Sequence, residues 1–254
     1  MILPRIIPVL LIRNNGLYKT TNFKNPKYLG DPINAVRVFN EKEVDELIVL
    51  DYHSTIENRP LAFTLVENIA SQCFMPVCYG GGIRSVEEIK RIINMGIEKI
   101  ALNTIAAESP SFVEKAAALF GSSTIVVSID AKKNIFGNYN VYSRSGSKSL
   151  KIKPEIFAKQ MEECGAGEIL INSISRDGTM QGYDLELIRL LAKEIKIPII
   201  ACGGAGDINH FKEAQDNGAT AMAAGSYFVF QGKHRGVLIS YPSQENLKDL
   251  FCSK

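Results

Sequence analysis

The chain has 254 residues, of which 46% are hydrophobic and 22% charged, with a formal net charge of +2. That length buries a full core without disulfides or a structural metal. The near-neutral balance and the lack of a basic run interleaved with aromatics exclude a general drive toward nucleic acid, and no stretch approaches the ~20 apolar residues of a membrane span.

The N-terminal run to Leu11 is apolar but carries Pro4, Arg5 and Pro8. It reads as a buried first strand rather than a signal peptide. From there, short β-rich apolar runs begin near Ile6, Leu47, Val77, Ile100, Thr124, Ile169, Ile199 and Ala221. Between them lie predicted helices over Pro32–Val44, Pro60–Cys73, Val86–Met95, Ser111–Leu119, Pro154–Cys164, Leu185–Ile195 and Ile208–Asn217. Strand and helix alternate as in parallel sheets with helical crossovers. The apolar runs are continuous, as expected for strands buried on both faces. Eight such units in ~250 residues predict an α/β chain forming one (β/α)₈ TIM barrel over residues 1–254.

Two segments depart from the alternation. Arg13–Gly30 reads as a long polar first loop, and Ala131–Lys151 as a hairpin turning at Phe136-Gly137-Asn138. Long βα loops of a barrel generally serve its site.

The halves repeat at one offset of 122 residues. Glu46 maps to Glu168, Pro76 to Pro198, Gly81-Gly82 to Gly203-Gly204, Gly96 to Gly218, and Asn103-Thr104 to Gly225-Ser226. A four-unit βα block present twice predicts a barrel with approximate two-fold symmetry.

The repeat places two glycine-rich turns, at Gly81-Gly82 and Gly203-Gly204, between a strand and a helix. Glycine lets backbone N–H groups approach an anion, and the following helix adds positive potential. Asn103-Thr104 and Gly225-Ser226 can add donors, so two phosphate cradles are expected on the C-terminal face. At the opposite end, Arg5, Glu46, Lys99 and Glu168 each begin a predicted strand. They form either a paired ring across the barrel floor or four solvated charges.

Cys73, Cys78, Cys164, Cys202 and Cys252 include no C-x-x-C pair, and His53, His210 and His234 show no ligand spacing. Reduced thiols, a cytoplasmic setting, and no metal or cofactor are expected. Cys202 reads as packing rather than a nucleophile, and His210 as a helix-surface residue. His53 and Arg84 are open between ligand contact and solvent.

Several stretches together resemble HisF, the cyclase subunit of imidazole glycerol phosphate synthase. They include Arg5-Ile6-Ile7-Pro8, Gly80-Gly81-Gly82-Ile83, Ser128-Ile129-Asp130-Ala131-Lys132, Gly165-Ala166-Gly167-Glu168-Ile169-Leu170, Ser175-Arg176-Asp177-Gly178-Thr179 and Gly203-Gly204-Ala205-Gly206. The resemblance implies a bisphosphorylated aminoimidazole ribotide with one phosphate per cradle. It implies a glutaminase docked on the barrel floor, supplying ammonia through a gate of Arg5, Glu46, Lys99 and Glu168. It also implies a catalytic Asp130, a loop Lys19, and Asp51, Asp177 and Gly178 on the substrate face.

One position departs from that family. A second catalytic aspartate is expected where strand one ends, and this chain has Leu11. Opposed acid–base chemistry needs two ionisable groups, and leucine supplies none. Ser175 likewise stands where the family often has an aspartate.

HisF-like proteins of surface-polysaccharide loci, associated with sugar amidination, are also similar, through Gly16-Leu17-Tyr18-Lys19-Thr20, Phe39–Leu47 and His234–Pro242. Three functions follow from the resemblance. The chain delivers ammonia for acetamidino-sugar formation, with a third amidotransferase protein as acceptor. Or it is the histidine-biosynthesis cyclase and lyase, producing imidazole glycerol phosphate and aminoimidazole carboxamide ribotide. Or it is a non-catalytic activator of a glutaminase.

Overall fold

The computed structural model describes residues 3–232 and 234–252. The barrel strands are β1 (Arg5–Arg13), β2 (Leu47–Asp51), β3 (Val77–Gly80), β4 (Lys99–Leu102), β5 (Ile125–Lys133), β6 (Glu168–Ser173), β7 (Ile199–Cys202) and β8 (Ala221–Ala224). Each pairs in parallel with the next, and β8 pairs with β1, so the sheet closes. The expected (β/α)₈ TIM barrel is the fold.

The outer helices are α1 (Pro32–Glu41), α2 (Phe63–Gln72), α3 (Val86–Asn94), α4 (Pro110–Phe120), α5 (Pro154–Glu163), α6 (Leu185–Glu194), α7 (Asn209–Asp216) and α8 (Gln244–Cys252). Local chemistry marks their starts. Asp31 caps α1 by accepting from the Ile33 amide, with Pro32 at the first helical position. Ser85 and Glu88 close a capping box on α3. Helix α8, in the tail, was not anticipated.

Alternation along the strands makes two apolar layers. Ile7, Val9, Ile48, Cys78, Val126, Leu170 and Ile200 fill the bore, with the small Ala101, Ala221 and Ala223 among them. Ile6, Leu10, Leu47, Val49, Val127 and Ile169 face the helices. One strand thus supplies both layers, because successive side chains point to opposite faces.

The two-fold repeat is written into the backbone. The bounds of α1 and α2 map onto those of α5 and α6 at the offset of 122, and those of β3 and β4 onto β7 and β8. The Leu47 amide donates to the Pro76 carbonyl at 2.9 Å, and the Ile169 amide to the Pro198 carbonyl at 2.9 Å.

Strands β1 and β5 keep the symmetry at a different offset. Pro8 pairs with Ala224, and Val127 with Leu102, the two-fold mate of Ala224. On the other edge Leu11 pairs with Leu50, and Asp130 with Asn172, the mate of Leu50. Leu11 is therefore the two-fold counterpart of Asp130.

The predicted first loop is corrected. Gly16–Thr21 pairs antiparallel with the end of β1, and Lys24–Gly30 pairs with it in turn. Both connections are two-residue turns, Asn14-Asn15 and Asn22-Phe23, with all four residues at positive φ. Such turns match the twist of a hairpin, and asparagine tolerates the conformation. The second inserted segment is a hairpin as expected, with Tyr139–Ser143 antiparallel to the end of β5. Among the described residues, no helix is long and apolar enough to cross a membrane.

Candidate functional site

The four charges at the barrel floor form a closed ring. Arg5 donates to Glu168 at 2.8 Å and also bonds Glu46. Lys99 sits 3.0 Å from Glu46 and 3.2 Å from Glu168. Each cation bridges both carboxylates. Burial opposes the Arg5 charge, but Glu46 and Glu168 outweigh it and hold its pKa above the ordinary value. Glu46 is only 2% exposed, and its Oε1 has no hydrogen-bond partner. Above the ring lies the apolar bore, beginning with Ile7, Ile48 and Cys78. Its contents are neutral: burial pushes the Cys78 thiol well above its usual range.

The bore opens at the C-terminal ends of the strands into a cavity of about 250 Å³. Every residue expected on that face lines it: Leu11, Lys19, Asp51, Gly81, Gly82, Asn103, Thr104, Asp130, Asp177, Gly178, Gly203, Gly204, Gly225 and Ser226.

Asp130 stands on the polar side. It is 8% exposed and accepts from Asn103 at 3.1 Å and from Asn172 at 3.4 Å. Burial raises its pKa to about 7, a direction the Asp177 charge reinforces and the two amides oppose. This carboxyl exchanges a proton near neutrality, as general acid–base work requires. Asn172 and Ser128 were missed by the sequence reading. The strand alternation Glu168, Leu170, Asn172 would have pointed Asn172 inward.

Lys19 enters from the first hairpin and pairs with Asp177 at 2.7 Å; the two are 6% and 7% exposed. Thr20 adds a bond to the same carboxylate at 3.2 Å. The lysine stem passes where a side chain on residue 225 would begin: a Cβ there would lie 2.9 Å from Lys19 Cε. Glycine at the two-fold counterpart of Asn103 thus makes room for the lysine.

Each glycine turn is fixed by the protein itself as well as open to the cavity. Gly81 and Gly204 have φ of 111° and 115°. A Cβ on Gly81 would lie 2.2 Å from the Asp51 carbonyl oxygen, and one on Gly204 2.1 Å from that of Gly182. Only glycine meets both demands. Gly82 and Gly203 are similarly tight against Ser54 Oγ and Asn172 Oδ1. Asn103 and Gly225 precede the short helices Thr104–Glu108 and Ser226–Val229. The Ser226 hydroxyl is buried and unpartnered, a donor free for a ligand oxygen. Thr104 Oγ1 instead accepts from the Arg144 amide at 3.2 Å, tying the β5 hairpin to the rim.

Asp51 serves its loop. Its Oδ1 accepts from the His53 amide at 3.3 Å, the Ser54 amide at 3.0 Å and Arg59 at 3.2 Å. Burial raises its pKa against the pull of Arg59. Of the residues with open readings, His53 lines the cavity while Arg84 is exposed on the rim. His210 is half-buried rather than on the helix surface: its Nδ1 accepts from the Gly206 and Asp207 amides at 3.1 and 3.2 Å. Burial lifts the Cys202 thiol to about 12, so it stays protonated and unreactive at neutral pH.

The site lies on a two-fold (β/α)₈ barrel, and the chain matches the histidine biosynthesis protein family over residues 5–235. It is 47% identical over 248 residues to a Pseudomonas aeruginosa protein provisionally named imidazole glycerol phosphate synthase subunit hisF2, covering 97% of this chain and 99% of the relative. A Vibrio vulnificus protein, provisionally named subunit hisF3, is 43% identical over 250 residues, covering 98% and 96%. The Thermococcus onnurineus imidazole glycerol phosphate synthase subunit HisF is 42% identical over 235 residues, covering 92% of each. The chain belongs to the HisF family of imidazole glycerol phosphate synthase subunits.

Proposed function

We propose that the chain is the synthase-type subunit of a glutamine amidotransferase that passes ammonia up its barrel for acetamidino-sugar formation in surface-polysaccharide biosynthesis. The observation that carries this reading is the pairing of Asp130 with Leu11 across the two-fold axis. On one side the cavity presents the Asp130 carboxyl, its pKa raised to about 7 by burial, and at the matching position an apolar side chain. Ring closure needs proton transfers on both sides of the substrate, and Leu11 supplies none, while its neighbour Asp51 is held by Arg59 and the amides of its own loop.

On this reading a glutaminase docks on the floor, where Arg5, Glu46, Lys99 and Glu168 gate entry to the bore. The cradles at Gly81-Gly82 and Gly203-Gly204 hold a phosphorylated ligand, with Asn103, Thr104, Gly225 and Ser226 as further donors. A third amidotransferase protein receives the ammonia. The whole chain acts as one barrel domain, with no nucleic-acid or membrane partner. A cytoplasmic location is supported by the five free cysteines.

The second reading is the cyclase of histidine biosynthesis. It is favoured by Asp130, raised to about 7 and held between Asn103 and Asn172, and by the Lys19–Asp177 pair beside it. One assay separates the two. The purified protein is given the bisphosphorylated aminoimidazole ribotide with excess ammonium salt, and its absorbance is followed. We expect no turnover above background from the folded barrel. Turnover within the ordinary enzyme range of about 1–10³ s⁻¹ would overturn the amidination reading and establish the cyclase.

A further inference from the structure

The residue that braces each glycine turn differs between the halves. Behind the first cradle, Glu88 in the first turn of α3 reaches back along the chain. Its Oε2 accepts from the Arg84 amide at 2.7 Å and the Ser85 amide at 3.1 Å. Behind the second cradle, His210 Nδ1 accepts from the Gly206 and Asp207 amides at 3.1 and 3.2 Å. At the offset of 122 residues Arg84 maps to Gly206, Ser85 to Asp207 and Glu88 to His210. The same two amides are therefore held from the same position, once by a carboxylate and once by an imidazole. A ring nitrogen that accepts carries no proton, so this imidazole is neutral with its proton on Nε2. That edge lies against Gly182, where a Cβ would be 3.5 Å from Nε2, and the Gly182 amide donates to the Gly204 carbonyl at 2.8 Å. His210 thus holds the second turn from two sides.

The two braces leave different fields over the turns. A helix N-terminus attracts an anion through its partial positive charge, and a carboxylate in the first turn offsets that charge. Glu88 does so beside Gly81-Gly82, whereas His210 leaves it standing beside Gly203-Gly204. The other charges near the turns are exposed and screened by solvent. They are Arg84 and Glu87 in the first half and Asp207 in the second, where the carboxylate accepts from the Asn209 amide at 2.8 Å. A second difference runs the same way. Ser226 is 4% exposed with its hydroxyl unpartnered, and it lines the cavity with Gly203 and Gly204. Its counterpart Thr104 is already engaged, donating to Asn103 Oδ1 at 3.4 Å and accepting from the Arg144 amide at 3.2 Å.

We infer that Glu88 and His210 are positioning residues that rank the two cradles, so that Gly203-Gly204 anchors a dianionic group and Gly81-Gly82 holds a second such group more weakly. Two turns of matched backbone thereby become unequal sites, and a ligand with an anionic group at each end is anchored from the second half of the barrel. The inference rests on the phosphate-binding reading of the cradles and adds the residues that set their unequal strength.

The test titrates the isotopically labelled whole chain with sodium sulfate at constant ionic strength, following the amide resonances of Gly82 and Gly204. Sulfate keeps both charges throughout the neutral range. The Gly204 site should bind about fivefold or more tighter than the Gly82 site. Glu88→Gln, which keeps the bonds and removes the charge, should tighten the first cradle about two- to fivefold and leave the second unmoved. His210→Glu should weaken the second cradle by a similar factor. His210→Gln, neutral and able to accept from the same amides, should stay within about twofold of the natural sequence. Equal affinities at the two turns, or a tighter first turn, overturn the inference and leave the cradle reading standing. So does His210→Gln if it weakens the second cradle as much as His210→Glu. Sulfate that shifts neither resonance at any concentration overturns both.

Discussion

The two halves of this barrel share a backbone and differ in chemistry. Around β5 and β6 the inward positions are Ser128, Asp130 and Asn172, with Asn103 bonding across to Asp130. The counterparts around β1 and β2 are Val9, Leu11 and Leu50, with Gly225 in place of Asn103. A duplicated scaffold has kept both glycine turns, each holding a glycine where an added Cβ would strike a backbone carbonyl, while its strand-end side chains diverged. Steric necessity holds the turns constant. Nothing steric holds the carboxylates, because leucine also fits in that layer of the bore.

The sharpest way to break the contrast is Leu11→Asp. Restoring an opposed carboxylate should raise ammonia-dependent turnover of the bisphosphorylated aminoimidazole ribotide by about 10²–10⁴, followed by absorbance. A variant that folds and stays at background would mean that more than this pair separates the chain from a cyclase.

The pH dependence of stability probes the polar half. Burial raises the Asp130 pKa to about 7, so between about 4 and about 7 the folded chain holds a proton that the unfolded chain has lost. This group's contribution to stability therefore falls as pH rises through that window and is flat above it. The loss is on the order of a few kcal/mol. Urea unfolding midpoints should show this slope in the natural sequence and not in Asp130→Asn. A slope of the same size in both would place the ionisation elsewhere.

The floor ring spans both halves, with Arg5 and Glu46 from one, Glu168 from the other, and Lys99 from β4. Glu46→Ala leaves two cations sharing Glu168. Since Arg5 and Lys99 are 30% and 18% exposed, we expect a loss of about 2 kcal/mol, below the ~3–5 kcal/mol of a fully buried pair. Denaturant titration measures it. A loss under half a kcal/mol would show four independently solvated charges.

The smallest effect tests the sameness of the halves. Gly81→Ala and its two-fold counterpart Gly203→Ala each place a methyl against an oxygen at positive φ, the Asp51 carbonyl at 2.2 Å and Asn172 Oδ1 at 2.5 Å, and should cost similar amounts, about 1–3 kcal/mol. Gly137→Ala, with positive φ but nothing within 4 Å, should cost the backbone strain alone, about 1–2 kcal/mol. Unequal losses at 81 and 203 would show that the turns have diverged as the strand ends have.

Much of this molecule was determined by local chemistry and was legible in the chain. Continuous apolar runs marked the eight strands, and the offset of 122 residues marked the duplication and both glycine turns. Charges at strand starts marked the floor. Other features depended on which strands meet, and there the linear pattern stopped. The 122-residue offset leads from Leu11 to Lys133, and only the register across β4 and β8 pairs Leu11 with Asp130. The polar run after Arg13 hid a hairpin, because its turns are made by three asparagines and Phe23 at positive φ rather than by glycine. Ring closure between Arg5, Glu46, Lys99 and Glu168, the Lys19–Asp177 pair and the Asn172 bond to Asp130 all join residues distant in sequence. Propensity and periodicity are set within a few residues of chain. A proton's affinity or a salt bridge is set by what lies across the barrel, and closing the sheet decided that.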